Sequence, residues 1–115
     1  MINEETKNQA YVVGRLFSVF EQLQEEANSG ISTNATIKNK YFNQTCETPQ
    51  KTIPLIYNVV TECFTKLKKE RKIYFEKQIG ELMDKLDNFP ERLSLEEQNN
   101  FMLGYYHQTQ KRYKK

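Results

Sequence analysis

Glycine is scarce in this chain. Four glycines are scattered over 115 residues. None stands in the spacing that cradles a phosphate, so phosphate-loop chemistry has no support. Histidine is scarcer still. His107 is the only one, and at helical spacing it falls off the apolar face, the place of an edge histidine rather than a general base. The two cysteines, Cys46 and Cys63, form no CxxC pair and no cysteine–histidine cluster. Neither a zinc site nor a disulfide framework follows. The expectation is two reduced thiols, with Cys63 in the core. The acid pairs Glu4-Glu5, Glu25-Glu26 and Glu96-Glu97 are adjacent in sequence. On a helix they diverge by about 100°, which makes no two-carboxylate site. No enzyme, cofactor or metal is expected. No apolar run approaches the ~20 residues of a membrane span. The start MINEETKNQ lacks the charged-then-apolar pattern of a signal peptide, so a cytoplasmic location is expected.

Apolar residues, at 37%, are few but concentrated in periodic segments. That excludes disorder and favours a helical bundle with thin layers over a large enzyme fold. The length suits one domain over residues 1–115 with one core. The organising segment is residues 10–28. Val13, Leu16, Phe17, Phe20, Leu23 and Ala27 recur at steps of three and four and fall within a sector about 120° wide, the buried stripe of an amphipathic helix. Lys7, Tyr11 and Arg15 project from the opposite side, as an outer basic-aromatic face. Val12 and Val19 fall outside the core sector and are expected to face a neighbouring subunit. Gly14 lies inside this helix, which predicts the close approach of another backbone. Gly30 is expected to cap the helix end, and Thr33 or Asn34 the next start.

A short second helix over residues 35–47 turns Ile37 and Tyr41 to the core. Thr48-Pro49 ends it and starts the third. Pro54 predicts either a kink or a regular helix that begins only near Thr52. Helix three places Ile53, Ile56, Val60, Cys63, Phe64 and Leu67 on one face. Helix four does so with Phe75, Ile79, Leu82 and Leu86. The apolar face rotates by roughly 80° between the two, which puts a turn at residues 70–72; the alternative is one helix of nearly forty residues, rare in a small domain. Asp87-Asn88-Phe89-Pro90 is a stop. Ser94 and Glu97 form a capping box. Helix five is expected to turn Leu95, Met102, Tyr105, Tyr106 and Thr109 inward. No strand alternation and no internal repeat is present. The fold class is all-α, a bundle of about five helices.

Positive charge is patchy. Net charge is +2, but Lys66, Lys68, Lys69, Arg71 and Lys72 cluster at one helix end, and Lys111, Arg112, Lys114 and Lys115 at the chain end. Lys38 and Lys40 mark the short helix. Taken singly, each cluster reads first as a solvated face. With interleaved tyrosines they suit backbone phosphates and an occasional stacked base.

The segments AYVVGRLFSVFEQLQEEAN, NATIKNKYF, FEKQIGELMDKLDNFP and LSLEEQNNFMLGYYHQTQ resemble, in the same order, the C-terminal region of the large subunit of type I-C CRISPR effector complexes (Cascade). They cover more than half the chain; residues 48–72 carry less of the resemblance. In that family the region is also made as a separate small subunit from an internal start, and the length and the position of Met1 look like that product. The resemblance implies a helical small subunit lining the belly of a crRNA-guided complex. Its implied partners are the backbone and large subunits, crRNA, target and non-target DNA strands and further copies of itself, with no membrane. Its implied role is to stabilise the R-loop. Guide pairing reads the sequence, so only sequence-independent phosphate contact is asked of the protein. By charge and placement the candidate nucleic-acid-binding residues are Arg15, Lys38, Lys40, Lys66, Lys69, Lys111 and Arg112. Competing readings are a pure scaffold without nucleic-acid contact, an excised domain of the large subunit, and an unrelated helical adaptor.

Overall fold

The computed structural model describes residues 8–27, 37–86 and 88–113; the side chains of residues 37–39 and 112–113 are outside the description. Five helices follow one another: α1 Gln9–Ala27, α2 Ile37–Glu47, α3 Pro49–Phe64, α4 Lys69–Asp84 and α5 Leu95–Tyr113. No strand occurs among the described residues. The cap positions expected at Gly30, Thr33 and Asn34, and the side chain of Ile37, lie outside the described residues.

α1 is the hub. It packs against each of the other four helices, most extensively against α5. Its expected stripe, Val13 to Ala27, is buried as the periodicity predicts. The rest of the helix departs from expectation. Tyr11, Arg15, Val12 and Val19 are also buried, so α1 has no outer basic-aromatic face and no valines for a neighbouring subunit. A helix enclosed along most of its length must satisfy its buried polar side chains internally. α5 does this for α1. The Ser18 hydroxyl lies 2.8 Å from that of Thr109. Thr109 already donates to the Tyr105 carbonyl, so Ser18 is the donor of the pair. Tyr105 donates to a Glu21 carboxylate oxygen at 2.6 Å, and Arg15 Nε donates to Gln108 Oε1 at 2.9 Å.

Gly14 meets the backbone of α5, as its place in the helix predicted. A Cβ there would collide with the Phe101 carbonyl and lie 2.8 Å from the Tyr105 nitrogen. Around this crossing Phe17, Phe42, Phe101 and Tyr105 form an edge-to-face aromatic cluster, with ring centroids 5.1–6.1 Å apart.

The face of α5 differs from the expected one. Phe101, Gly104 and Gln108 are buried, whereas Leu95, Met102 and Tyr106 are exposed. Tyr105 and Thr109 are partly buried. The helix is rotated because it meets α1 through a glycine and hydrogen-bonding side chains, which hydropathy does not weigh. Helix three begins at Pro49 and runs through Pro54, rather than starting near Thr52. Pro54 is exposed, and so is Gln50, whose carbonyl the missing N–H would have bonded. The break between α3 and α4 falls at residues 65–68, ahead of the expected 70–72. Thr65, Lys66 and Leu67 amides bond carbonyls three residues back, and Leu67 packs on the core. The capping box forms as expected: the Glu97 amide donates to Ser94 Oγ at 3.2 Å and the Ser94 amide to Glu97 Oε1 at 3.0 Å.

Candidate nucleic-acid interface

The turn between α3 and α4 carries the densest exposed positive charge among the described residues. Leu67 holds the turn to the core, so Lys66 and Lys68 on either side of it are exposed. Phe75, Ile79 and Leu82 are the buried residues of α4, which packs on α1. Lys69, Ile73 and Lys77, four apart, thereby occupy its outer side, where all three are exposed. Lys68 is the N-cap residue of α4, with no side-chain cap bond, and Glu70 is the sole acid in the first turn. Lysines here oppose the positive end of the helix dipole, a local cost of roughly 0.3–1 kcal/mol each that a bound anion offsets.

Arg71 belongs to this cluster in sequence but is engaged within the fold. It grips Glu26 near the end of α1 through Nε at 3.1 Å and Nη2 at 3.0 Å. Its guanidinium lies 4.4 Å from the centroid of the Tyr74 ring. Both partners of the ion pair are over a third exposed, so its contribution to stability is modest. Tyr74 itself is 38% exposed and Ile73 57%. The sequence reading missed Tyr74 as part of the site; its spacing of three from Arg71 was the available signal.

The other candidates are dispersed. Lys40 is exposed on α2, 5.9 Å from the centroid of its neighbour Tyr41. Lys111 is exposed on α5 and shares an open groove of about 350 Å³ with Arg15, Gln78, Glu81, Asp84 and Lys85. The groove thus mixes three cations with two carboxylates and has no uniform affinity for phosphate. Arg15, expected on the outside, is only 4% exposed; its guanidinium lies at the α1–α5 contact because α5 covers that side of α1. Arg15 and Lys111 line one groove, Lys66 and Lys69 stand three residues apart at the α3–α4 turn, and Lys40 is on α2. Lys38 and Arg112 have side chains outside the description; Lys7, Lys114 and Lys115 lie outside the described residues.

His107 is tied to α1 by a hydrogen bond, and the two cysteines are enclosed in the fold. His107 Nδ1 is 2.7 Å from the Tyr11 hydroxyl. Burial, chiefly, lowers the His107 pKa. In the neutral ring a proton on Nε2 leaves Nδ1 to accept from tyrosine. Cys46 and Cys63 are free and buried. Desolvation pushes both thiols up; Glu47 adds to this at Cys46, and at Cys63 Lys66 opposes it while Glu62 adds to it. Among the described residues no three histidine, cysteine or acid side chains are grouped to hold a metal, and no helix is long and apolar enough to cross a membrane.

No curated protein matches the chain. The family model described as CRISPR-associated protein (Cas_Csd1) matches residues 1–113, nearly the whole sequence, and the chain belongs to that CRISPR-associated family.

Proposed function

We propose that this protein is a non-catalytic small subunit of a type I-C CRISPR-guided DNA surveillance complex. In this reading it stabilises the R-loop by sequence-independent contact with displaced non-target and target strands, and bridges neighbouring subunits. The observation that carries the reading is the family match over residues 1–113. The exposed lysines of the α3–α4 turn, with Lys40 and Lys111, supply the chemistry that phosphate contact requires. The exposed apolar residues of α5, Leu95, Met102, Leu103 and Tyr106, suit a protein neighbour.

That same apolar face favours a second reading, a scaffold that spaces its partners without touching nucleic acid. One experiment separates the two. Target-DNA binding is measured for the complex purified with and without this subunit, across a range of salt. If the particle assembles without it but binds more weakly and with a flatter salt slope, the subunit neutralises phosphates. Unchanged affinity and slope assign it to scaffolding. A particle that never contained the chain refutes both.

A further inference from the structure

The connection between α4 and α5 crosses the corner where α2 meets α3. α2 ends at Glu47 and α3 starts at Pro49, so two helix ends, each with backbone groups that lack a helical partner, meet at one residue. Pro49 brings no N–H, and Thr48 makes no side-chain cap bond. The first amide of α3 is therefore that of Gln50, and it donates to the Pro90 carbonyl at 3.0 Å. Across the corner the Glu47 carbonyl, the last of α2, accepts from the Leu93 amide at 2.9 Å. One short segment thus caps both helices. Leu93 is buried and Phe89 packs on the core, while Glu91 and Arg92 between them are exposed. α5 holds the segment in turn. Gln98 Nε2 donates to the Leu93 carbonyl at 3.1 Å, and the capping box begins at the next residue, Ser94. Cys46 is shut inside this joint, buried, with its Sγ 3.9 Å from the Gln98 carbonyl.

We propose that residues 89–93 are a strap that latches the α2–α3 corner to the start of α5, and that strap and corner open together as one unit while the α1–α5 contact stays closed. Lifting Leu93 from its seat breaks the bonds at Gln50 and Glu47 in one movement and leaves two helix ends uncapped. Fraying of either helix end removes an anchor of the strap. The two sides therefore support each other, which is the condition for a cooperative unit smaller than the whole domain. The α1–α5 contact is built from other groups: the Gly14 and Gly104 crossing and the bonds of Tyr11 to His107, Arg15 to Gln108, Ser18 to Thr109 and Tyr105 to Glu21. All of these lie on α5 beyond Gln98, so they survive when the strap lifts. Opening then exposes Cys46. Cys63, at the other end of α3, stays covered.

The two buried thiols make the opening measurable. The full chain is alkylated with iodoacetamide in urea below the unfolding transition, and the rate at each cysteine is read by mass spectrometry. Leu93→Ala is expected to speed alkylation of Cys46 roughly thirtyfold or more, and Leu93→Val about two- to tenfold, the fold-changes that correspond to loss of those buried methyl groups. Cys63 is expected to change by less than about twofold in the same variants, since its cover lies outside the unit. Ile79→Val, a truncation on α4 away from the strap, is expected to leave the ratio of the two rates unchanged. Hydrogen exchange of the wild-type chain gives an independent reading: the Gln50 and Leu93 amides are expected to show equal protection, and less of it than the Phe17 amide within α1. Equal acceleration of both thiols in Leu93→Val, no acceleration of Cys46, or unequal protection of Gln50 and Leu93 overturns the proposal. If Leu93→Ala does not fold, Leu93→Val and the wild-type exchange decide it.

Discussion

Gly14 on α1 and Gly104 on α5 are reciprocal contact points. A Cβ on Gly14 would collide with the Phe101 carbonyl of α5, and one on Gly104 with the Tyr11 carbonyl of α1. Each glycine admits the other helix's backbone. Alanine at either site raises helix propensity by about 1 kcal/mol, but the obstacle is backbone and cannot rotate away. Gly14→Ala and Gly104→Ala are therefore expected to destabilise the fold by about 3 kcal/mol, the upper part of the overpacking range. Gly80 on α4 has nothing within 4 Å of its absent Cβ. Gly80→Ala is expected to stabilise by about 0.5–1 kcal/mol. Urea unfolding of the three variants checks both signs.

The same contact explains what periodicity could and could not show. The stripe from Val13 to Ala27 was legible because six apolar residues share one sector. The burial of Val12, Val19, Tyr11 and Arg15 was not, since it depends on how many neighbours enclose α1 and not on α1 itself. On α5, Gly104 and Gln108 mark the inner face, yet both score as polar or neutral, so hydropathy pointed to Met102 and Tyr106 instead. The turn after α3 has no glycine or proline; it is set by Leu67 returning to the core, a tertiary contact. Basic clusters at residues 66–72 and 111–115 were visible in the sequence. Their sorting was not: Arg71 is drawn to Glu26 and Arg15 to Gln108 by partners 45 and 93 residues away.

The capping box gives a local prediction. Ser94→Ala removes the hydroxyl that accepts from the Glu97 amide and is expected to cost about 1 kcal/mol. Glu97→Ala removes the reciprocal bond at the exposed Ser94 amide. The two losses are coupled, and a double-mutant cycle in urea is expected to return a non-zero interaction energy.

His107 and the two thiols set opposite pH limits. Burial lowers the His107 pKa, so below the ordinary histidine value of about 6.5 the unfolded chain takes up the proton first. Stability is expected to fall as pH drops through that value toward the folded pKa, and His107→Gln should lose this part of the pH dependence. The thiol pKa values are raised in the fold. The unfolded thiols ionise first, and stability falls as pH rises above their ordinary value. Urea midpoints across pH, with and without His107→Gln, and Cys46→Ser with Cys63→Ser at alkaline pH, test the two signs.

The candidate cations divide by their surroundings. Arg15 is buried and donates to the Gln108 side chain, so Arg15→Ala withdraws a charged donor from an interior contact. The expected cost is about 2 kcal/mol of folding stability. Gln108→Ala should be non-additive with it, because each substitution removes the same bond. Lys66 and Lys69 are exposed, and their alanine variants are expected to stay within about 0.5 kcal/mol of wild type in stability. Under the proposed function their effect is expected in binding: a smaller salt slope for DNA held by the assembled complex. The measurement is therefore paired, with urea unfolding and salt-dependent DNA binding on the same variants. A stable Arg15→Ala protein with a reduced salt slope would place Arg15 against phosphate after all. Stable lysine variants with an unchanged slope would leave the turn to a protein neighbour.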